Sequence, residues 1–259
     1  MDDAALAARQ LAAHQQLYRS LGRGSPGAAV IERPGGVVAA VVPARPDRSV
    51  FNAVVYEDPD ALLAVRDELD AAYVAAAVQA WTVWVRPEHR ALGAALEAAG
   101  HRLDAQPSLM AANLDEVDLA PRIELDLDPE PTWEGLARLN DAAYGIDASR
   151  SFAVAFAGYE DPVGRLYLAR LDGGPAAVVG AHNEDANCEI VFVATAPHAR
   201  GRGLSSELMR MALRDARSEG CQTTTLEATA LGEPVYARLG YRSLGRMGMY
   251  ELRRPAAAS

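Results

Sequence analysis

Hydrophobic and polar positions along this chain follow two periods, one of about two residues and one of about 3.6, and together they divide it into strands and helices. The clearest helical stretch is 204–219. Leu204, Leu208, Met211, Ala212 and Ala216 fall on one face, and the pattern puts Glu207, Arg210, Arg214 and Arg217 on the outward one. Gly220 is its stop signal. Strand patterns flank it at 189–195 and 223–228. A short helix over 233–239 then runs to Gly240, and 241–252 reads as a last strand. Upstream, 122–127 alternates as a strand with one apolar face. Residues 131–144 read as a helix capped by Thr132, with Leu136, Leu139, Asn140 and Ala143 inward. A short second helix is expected around 151–159. Two strands, 165–171 and 176–181, are joined by the turn Asp172-Gly173-Gly174.

The first half repeats the tail of the second. It reads as a strand over 49–56, a helix over 59–77, a strand over 80–85, a helix over 88–99 ending at Gly100, and a final strand over 101–114. Placing Gly100 on Gly240 aligns Ala95-Leu96-Glu97-Ala98-Ala99-Gly100-His101-Arg102 with Val235-Tyr236-Ala237-Arg238-Leu239-Gly240-Tyr241-Arg242. Order and spacing repeat more than identity. The implied class is α/β with mixed α+β sheets, in two similar units of residues 1–119 and 120–259 divided near the acidic run 115–130.

The repeat is uneven at one place. In the second half the strand ending Val191-Phe192-Val193-Ala194-Thr195 passes through Ala196-Pro197-His198-Ala199 into Arg200-Gly201-Arg202-Gly203-Leu204-Ser205-Ser206, which opens a helix. The first amides of a helix have no internal partner and sit at the positive end of its dipole. Glycines let a phosphate reach that backbone. The equivalent stretch in the first half is Tyr56-Glu57-Asp58-Pro59-Asp60. Its carboxylates would repel a phosphate and Pro59 removes a donor. One phosphate cradle is therefore expected, in the second half.

Composition narrows the chemistry. Of 259 residues, 50% are hydrophobic and 23% charged, which is globular rather than disordered, and the net charge of −10 argues against a nucleic-acid partner. All 25 basic residues are arginine. The missing lysine excludes Schiff-base chemistry, including that of pyridoxal phosphate, and the lysine of an ATP-type P-loop. Cys188 and Cys221 lie in strand-like runs and read as buried thiols of a reducing cytoplasm. No leader-like apolar run opens the sequence and no stretch approaches the roughly 20 apolar residues of a membrane span, so a cytoplasmic protein without a membrane partner is expected. The five histidines show no metal-ligand spacing, and no metal is expected. Gly22-Arg23-Gly24-Ser25-Pro26-Gly27 matches a dinucleotide fingerprint in letters only. It follows a helical stretch and precedes a strand, the reverse of what that motif needs.

The cradle, with Arg200-x-x-Gly203-x-Ser205 and the downstream Tyr236-Ala237-Arg238-Leu239-Gly240-Tyr241, resembles the GNAT superfamily of N-acetyltransferases. Ser205 departs from the small Gly or Ala usual at the loop's last position. The first half looks like a degenerate second copy. The resemblance implies a tandem protein that takes acetyl-CoA as co-substrate and transfers its acetyl group directly to a primary amine of a small molecule or peptide. It implies that Val193, Ala194 and Thr195 pair with the pantetheine arm. Residues Arg200, Gly201, Arg202, Gly203, Leu204, Ser205 and Ser206 would hold the pyrophosphate. Tyr236 would protonate the leaving thiolate and Glu189 would serve as general base, with Glu227 as its rival. Tyr144, Phe152 and Phe156 lie where the family builds its acceptor pocket. An acyl-CoA-binding sensor without turnover, or a transferase of another acyl group, fits the same residues. A monomer and a homodimer are both compatible with the sequence.

Overall fold

In the computed structural model, which describes residues 1–159, 161 and 163–255, both periods become regular elements. The first half runs α1 (Asp3–Gly24), β1 (Ala29–Arg33), β2 (Val37–Val41), β3 (Ala53–Val55), α2 (Pro59–Ala75), β4 (Ala80–Val85), α3 (Arg90–Ala98), β5 (Arg102–Ala105) and β6 (Ser108–Asn113). The second runs β7 (Asp126–Leu127), α4 (Trp133–Tyr144), a 3-10 segment Phe152–Phe156, β8 (Gly164–Leu171), β9 (Gly174–Glu184) and β10 (Asn187–Thr195). It continues through α5 (Leu204–Ser218), β11 (Thr223–Ala228), α6 (Glu233–Leu239), β12 (Arg242–Arg246) and β13 (Gly248–Arg253).

These elements form two mixed sheets, ordered β1-β2-β3-β4-β13-β5 and β12-β6-β11-β10-β9-β8-β7. The internal repeat is visible in both orders. β3 and β4 correspond to β10 and β11, each a parallel pair joined by a helix. The final strand of each half is not continuous. Residues 101–114 break into β5 and β6 around Gln106-Pro107, and 241–252 break into β12 and β13 around Met247. Pro107 cannot donate to a ladder, and its carbonyl instead accepts from the Met247 amide at 3.0 Å. After each break the strand enters the other sheet: β6 lies between β12 and β11, and β13 between β4 and β5.

The contacts divide the chain into two compact units that interleave along it. One comprises Met1–Ala13 with Leu109–Leu244, and the other His14–Ser108 with the chain from Gly245 onward. The acidic run 115–130 falls inside the first of these rather than between them. In the second, β2 and β4 are buried at every position, as strands covered on both faces must be. Trp81 stacks on Tyr73 of α2 at 4.8 Å, while the Trp84 indole donates to the Tyr18 hydroxyl of α1 at 2.6 Å.

Three sequence expectations fail locally. The strand expected over 49–56 shrinks to β3 because Asn52 holds the preceding turns. Its side chain accepts from the Val42 amide at 2.7 Å and donates to the Arg45 carbonyl at 2.9 Å. The strand expected over 122–127 shrinks to the two residues of β7. Glu207 and Arg210, placed outward by helical period, are buried at 2% and 8% exposure. Glu207 accepts from the Arg122 amide at 3.0 Å and lies 3.4 Å and 3.6 Å from Arg210 and Arg214. The carboxylate and its arginines screen one another, which lets a charged helix face be covered by chain.

The two copies also begin their helices differently. Asp58 caps α2, its Oδ1 accepting from the Asp60 amide at 2.9 Å, with Pro59 in the first turn. That helix start is satisfied by its own chain. Asp58→Ala should lower stability by about 1 kcal/mol, read as a urea midpoint, and should leave any ligand affinity unchanged.

Candidate active site

The parallel ladder between β10 and β11 is short. It pairs Asn187 with Thr223, Cys188 with Thr224 and Glu189 with Thr225, and stops. On its other edge, β10 shifts register against β9 between Val191 and Ala194, where Phe192 adopts φ +50°. A bulge of this kind bends a strand and frees part of its edge. Beyond it the β9 ladder resumes at Ala194 and Thr195. On the β11 side, Val193, Ala194 and Thr195 border a cleft of about 360 Å³ instead of a neighbouring strand.

The start of α5 closes one end of that cleft. Gly201 and Gly203 take φ +75° and +77°, a backbone region that side chains strongly disfavour. A Cβ at Gly201 would meet no atom within 4 Å, so open space rather than internal crowding lies in front of it. Gly203 is the cap residue and supplies no side-chain acceptor. The first backbone bond of α5 runs from the Glu207 amide to the Gly203 carbonyl at 3.0 Å, so the Leu204, Ser205 and Ser206 amides have no intrahelical acceptor. The two loop arginines differ. Arg200 donates to the Ala143 carbonyl at the end of α4, at 2.6 Å, which ties the loop to that helix. Arg202 is exposed and has no ion-pair partner among the described residues.

Tyr236 reaches the same cleft from α6, beside Tyr144, which is 58% exposed. Gly232 precedes α6 and Gly240 ends it at φ +109°, so the helix is short and its tyrosine stands near its middle. Burial, with the neighbouring Tyr144 hydroxyl adding to it, pushes the Tyr236 phenol above the ordinary tyrosine range. It is a phenol, not a phenolate, at neutral pH. In the repeat its place is taken by Leu96, which is fully buried.

Glu189 lies deeper. Its side chain is fully buried and both carboxyl oxygens lack a hydrogen-bond partner. Burial pushes its carboxyl well above the usual range, and the carboxylates of Glu227 and Glu184 add to that. Glu227 accepts from Gln10 of α1, and the adjacent Arg9 bonds Thr223 Oγ1 and the Ala186 carbonyl, both at 3.0 Å. Sequence reasoning missed these α1 residues, since their partners are more than 170 positions away. The cleft thus gathers Tyr144, Val193, Ala194, Thr195, Arg200, Ser205 and Tyr236. Glu189, Glu227, Phe152 and Phe156 do not border it. Phe156 packs in an aromatic group with Trp133, Tyr159 and Phe192, and the Phe152 amide donates to the Asp141 carboxylate at 3.1 Å.

Residues 133–241, from the start of α4 to the residue before β12, match the Acetyltransferase (GNAT) family. This part of the chain is a GNAT acetyltransferase domain. One relative of the chain is a protein of Escherichia coli strain K12 described as uncharacterized N-acetyltransferase YjgM. It is 28% identical over 136 residues, covering 46% of this chain and 80% of that protein. Similar solved structures include a GCN5-related N-acetyltransferase from Kribbella flavida, with TM-score 0.67 and 20% identity over 95% of each chain. A tandem GNAT protein from the clavulanic acid biosynthesis pathway has TM-score 0.61 and 15% identity, over 95% of this chain and 88% of that one. At those identities the likeness is one of fold, and it extends over both halves. GNAT enzymes as a family use acetyl-CoA as co-substrate. Among the described residues no cluster of three or more His, Cys, Asp or Glu could hold a metal ion, and no helix is long and apolar enough to cross a membrane.

Proposed function

We propose that the GNAT domain binds one acetyl-CoA per chain and transfers its acetyl group to a primary amine. The observation that carries this is the uncapped first turn of α5 standing at the end of a strand, β10, whose outer edge is unpaired. A dinucleotide-like ligand with an extended amide arm needs both parts together. The amides of Leu204, Ser205 and Ser206, with the Arg202 guanidinium, hold the pyrophosphate. The Val193, Ala194 and Thr195 backbone pairs with the arm as an added strand and polarises the thioester carbonyl. Glu189 takes the proton of the attacking amine through water, a role suited to a carboxyl with raised pKa. Tyr236 gives its proton to the leaving thiolate. The first half has no equivalent, because Asp58 already occupies the start of α2.

Calorimetry with acetyl-CoA should give one site per chain, and two sites would contradict the asymmetry. Gly203→Val forces a branched side chain to φ +77° and shifts the amides above it, so acetyl-CoA affinity should fall about tenfold or more, given a strain of about 1–3 kcal/mol. Unchanged affinity in a folded variant would remove the cradle from the binding site.

A further inference from the structure

Directly across the β9–β10 ladder from Glu189 stands His182. Residues opposite each other in an antiparallel pair share a face, with Cβ atoms about 5 Å apart. His182 is 1% exposed, and neither its Nδ1 nor its Nε2 makes a hydrogen bond of regular geometry, like both oxygens of Glu189. On its other side the imidazole is engaged: Nε2 lies 2.7 Å from Asp161 Oδ2, and the Tyr159 hydroxyl donates to that same oxygen at 3.2 Å. The remaining polar groups of this face are satisfied elsewhere. Asn187 bonds Thr225 and Thr223, each at 2.9 Å, and Glu227 bonds Gln10. From α4 the face meets Trp133 and Leu136, the Trp133 ring standing edge-on to His182 at 5.7 Å. Two buried polar groups without partners, side by side under an apolar lid, are costly unless they serve each other.

We propose that His182 and Asp161 form the proton outlet of Glu189, a role that rests on the acetyl-transfer reading above. In the neutral imidazole, the Asp161 carboxylate selects the tautomer with its hydrogen on Nε2, which leaves Nδ1 as an acceptor. When the amine N–H bond breaks, the proton forms an O–H bond on Glu189. That bond then breaks as an N–H bond forms at His182 Nδ1, through one bridging water. The imidazolium charge is met by Asp161. Asp161 lines a second cleft, of about 740 Å³, with Thr132, Trp133 and Arg165. The Nε2 proton passes to the buried Asp161 carboxyl and from it to water of that cleft, and a half-turn of the neutral ring then faces its N–H to Asp161 and its bare nitrogen to Glu189, which restores the starting arrangement. His182 and Asp161 act through Glu189, not on the substrate. Glu184, two residues from His182 on β9, and Glu227 on β11 are the other titratable groups facing the pair, with the Arg9 guanidinium nearby at Thr223.

Two measurements test the relay. The first needs no turnover: a ¹⁵N NMR spectrum of the His182 ring in the full chain, compared with Glu189→Gln. Replacing the neighbouring carboxyl should move the Nδ1 resonance and leave the Nε2 resonance beside Asp161 in place, and an unchanged Nδ1 resonance overturns the relay. The second uses acetyl transfer to the best primary amine of a screened panel. His182→Gln and His182→Ala should keep their acetyl-CoA affinity and lose about 10²-fold in kcat. Added imidazole should restore His182→Ala, and the kcat–pH profile of both variants should change shape. A normal kcat in His182→Gln, or no rescue in a His182→Ala that still binds acetyl-CoA, also overturns the relay. A wild-type chain that fails to bind acetyl-CoA overturns the acetyl-transfer reading instead, and the NMR comparison then decides the relay alone.

Discussion

Tyr236→Phe should reduce kcat by about 10²-fold, the low end of the range for a lost general acid, while the acetyl-CoA dissociation constant stays within about twofold. The low end applies because a thiolate is a good leaving group and needs less help than an alkoxide or amine. The phenol is held in its protonated form by burial and by Tyr144 beside it. The loss should therefore be uniform across the assay range and should delete no limb of the pH profile. Nothing in the fold resists the change: the Tyr236 hydroxyl has no hydrogen-bond partner among the described residues, and Phe fills the same volume. Stopped-flow thiol release with the wild-type and variant chains measures the effect, and an unchanged kcat would remove Tyr236 from the chemistry.

Glu189→Gln should do two opposite things. Turnover should fall by about 10²-fold or more, because the amide cannot accept the amine proton. Stability should rise with pH relative to the wild type. The sign follows from the raised pKa. Between the ordinary carboxyl value of 4.5 and the raised folded value, the folded chain holds a proton that the unfolded chain has released. Wild-type stability therefore declines as pH rises through that window, by at most about 1.4 kcal/mol per pH unit. Glutamine carries no such dependence. Urea midpoints should show the variant gaining on the wild type near about pH 8, with the gap closing toward about pH 5. A gap that instead widened toward acid would mean that Glu189 is ionised in the folded chain.

Local periodicity made most of the elements legible, because α4, α5, β10 and β11 each carry a pattern that survives in isolation. The helix α5 begins at Leu204, where the glycine-rich loop placed it, and β10 runs to Thr195 as expected. Long-range partners were not legible. The sequence of 101–114 reads as one strand because apolar residues continue through it, and nothing local says that β5 and β6 join different sheets. Glu207 reads as a surface residue by helical period, yet the Arg122 amide and two arginines cover it. The burial of Glu189 likewise depends on neighbours from several strands and helices. Its ladder neighbour His182 shows in sequence only as a histidine with no metal spacing. Its chemistry becomes visible only through register, which puts it opposite Glu189, and through a loop that brings Asp161 alongside.

The crossed placement of β6 and β13 sets an order of events in synthesis. Chain emerging from the ribosome supplies β6 long before β10 and β11, the strands whose sheet it joins, have been made. The sheet of the first half, by contrast, keeps an open slot between β4 and β5 until β13 has been made. Neither half can finish its sheet from its own residues. The nascent chain must therefore keep two unpaired strand edges from pairing wrongly until β13 has been made, which ties completion of the first half's sheet to synthesis of the second half.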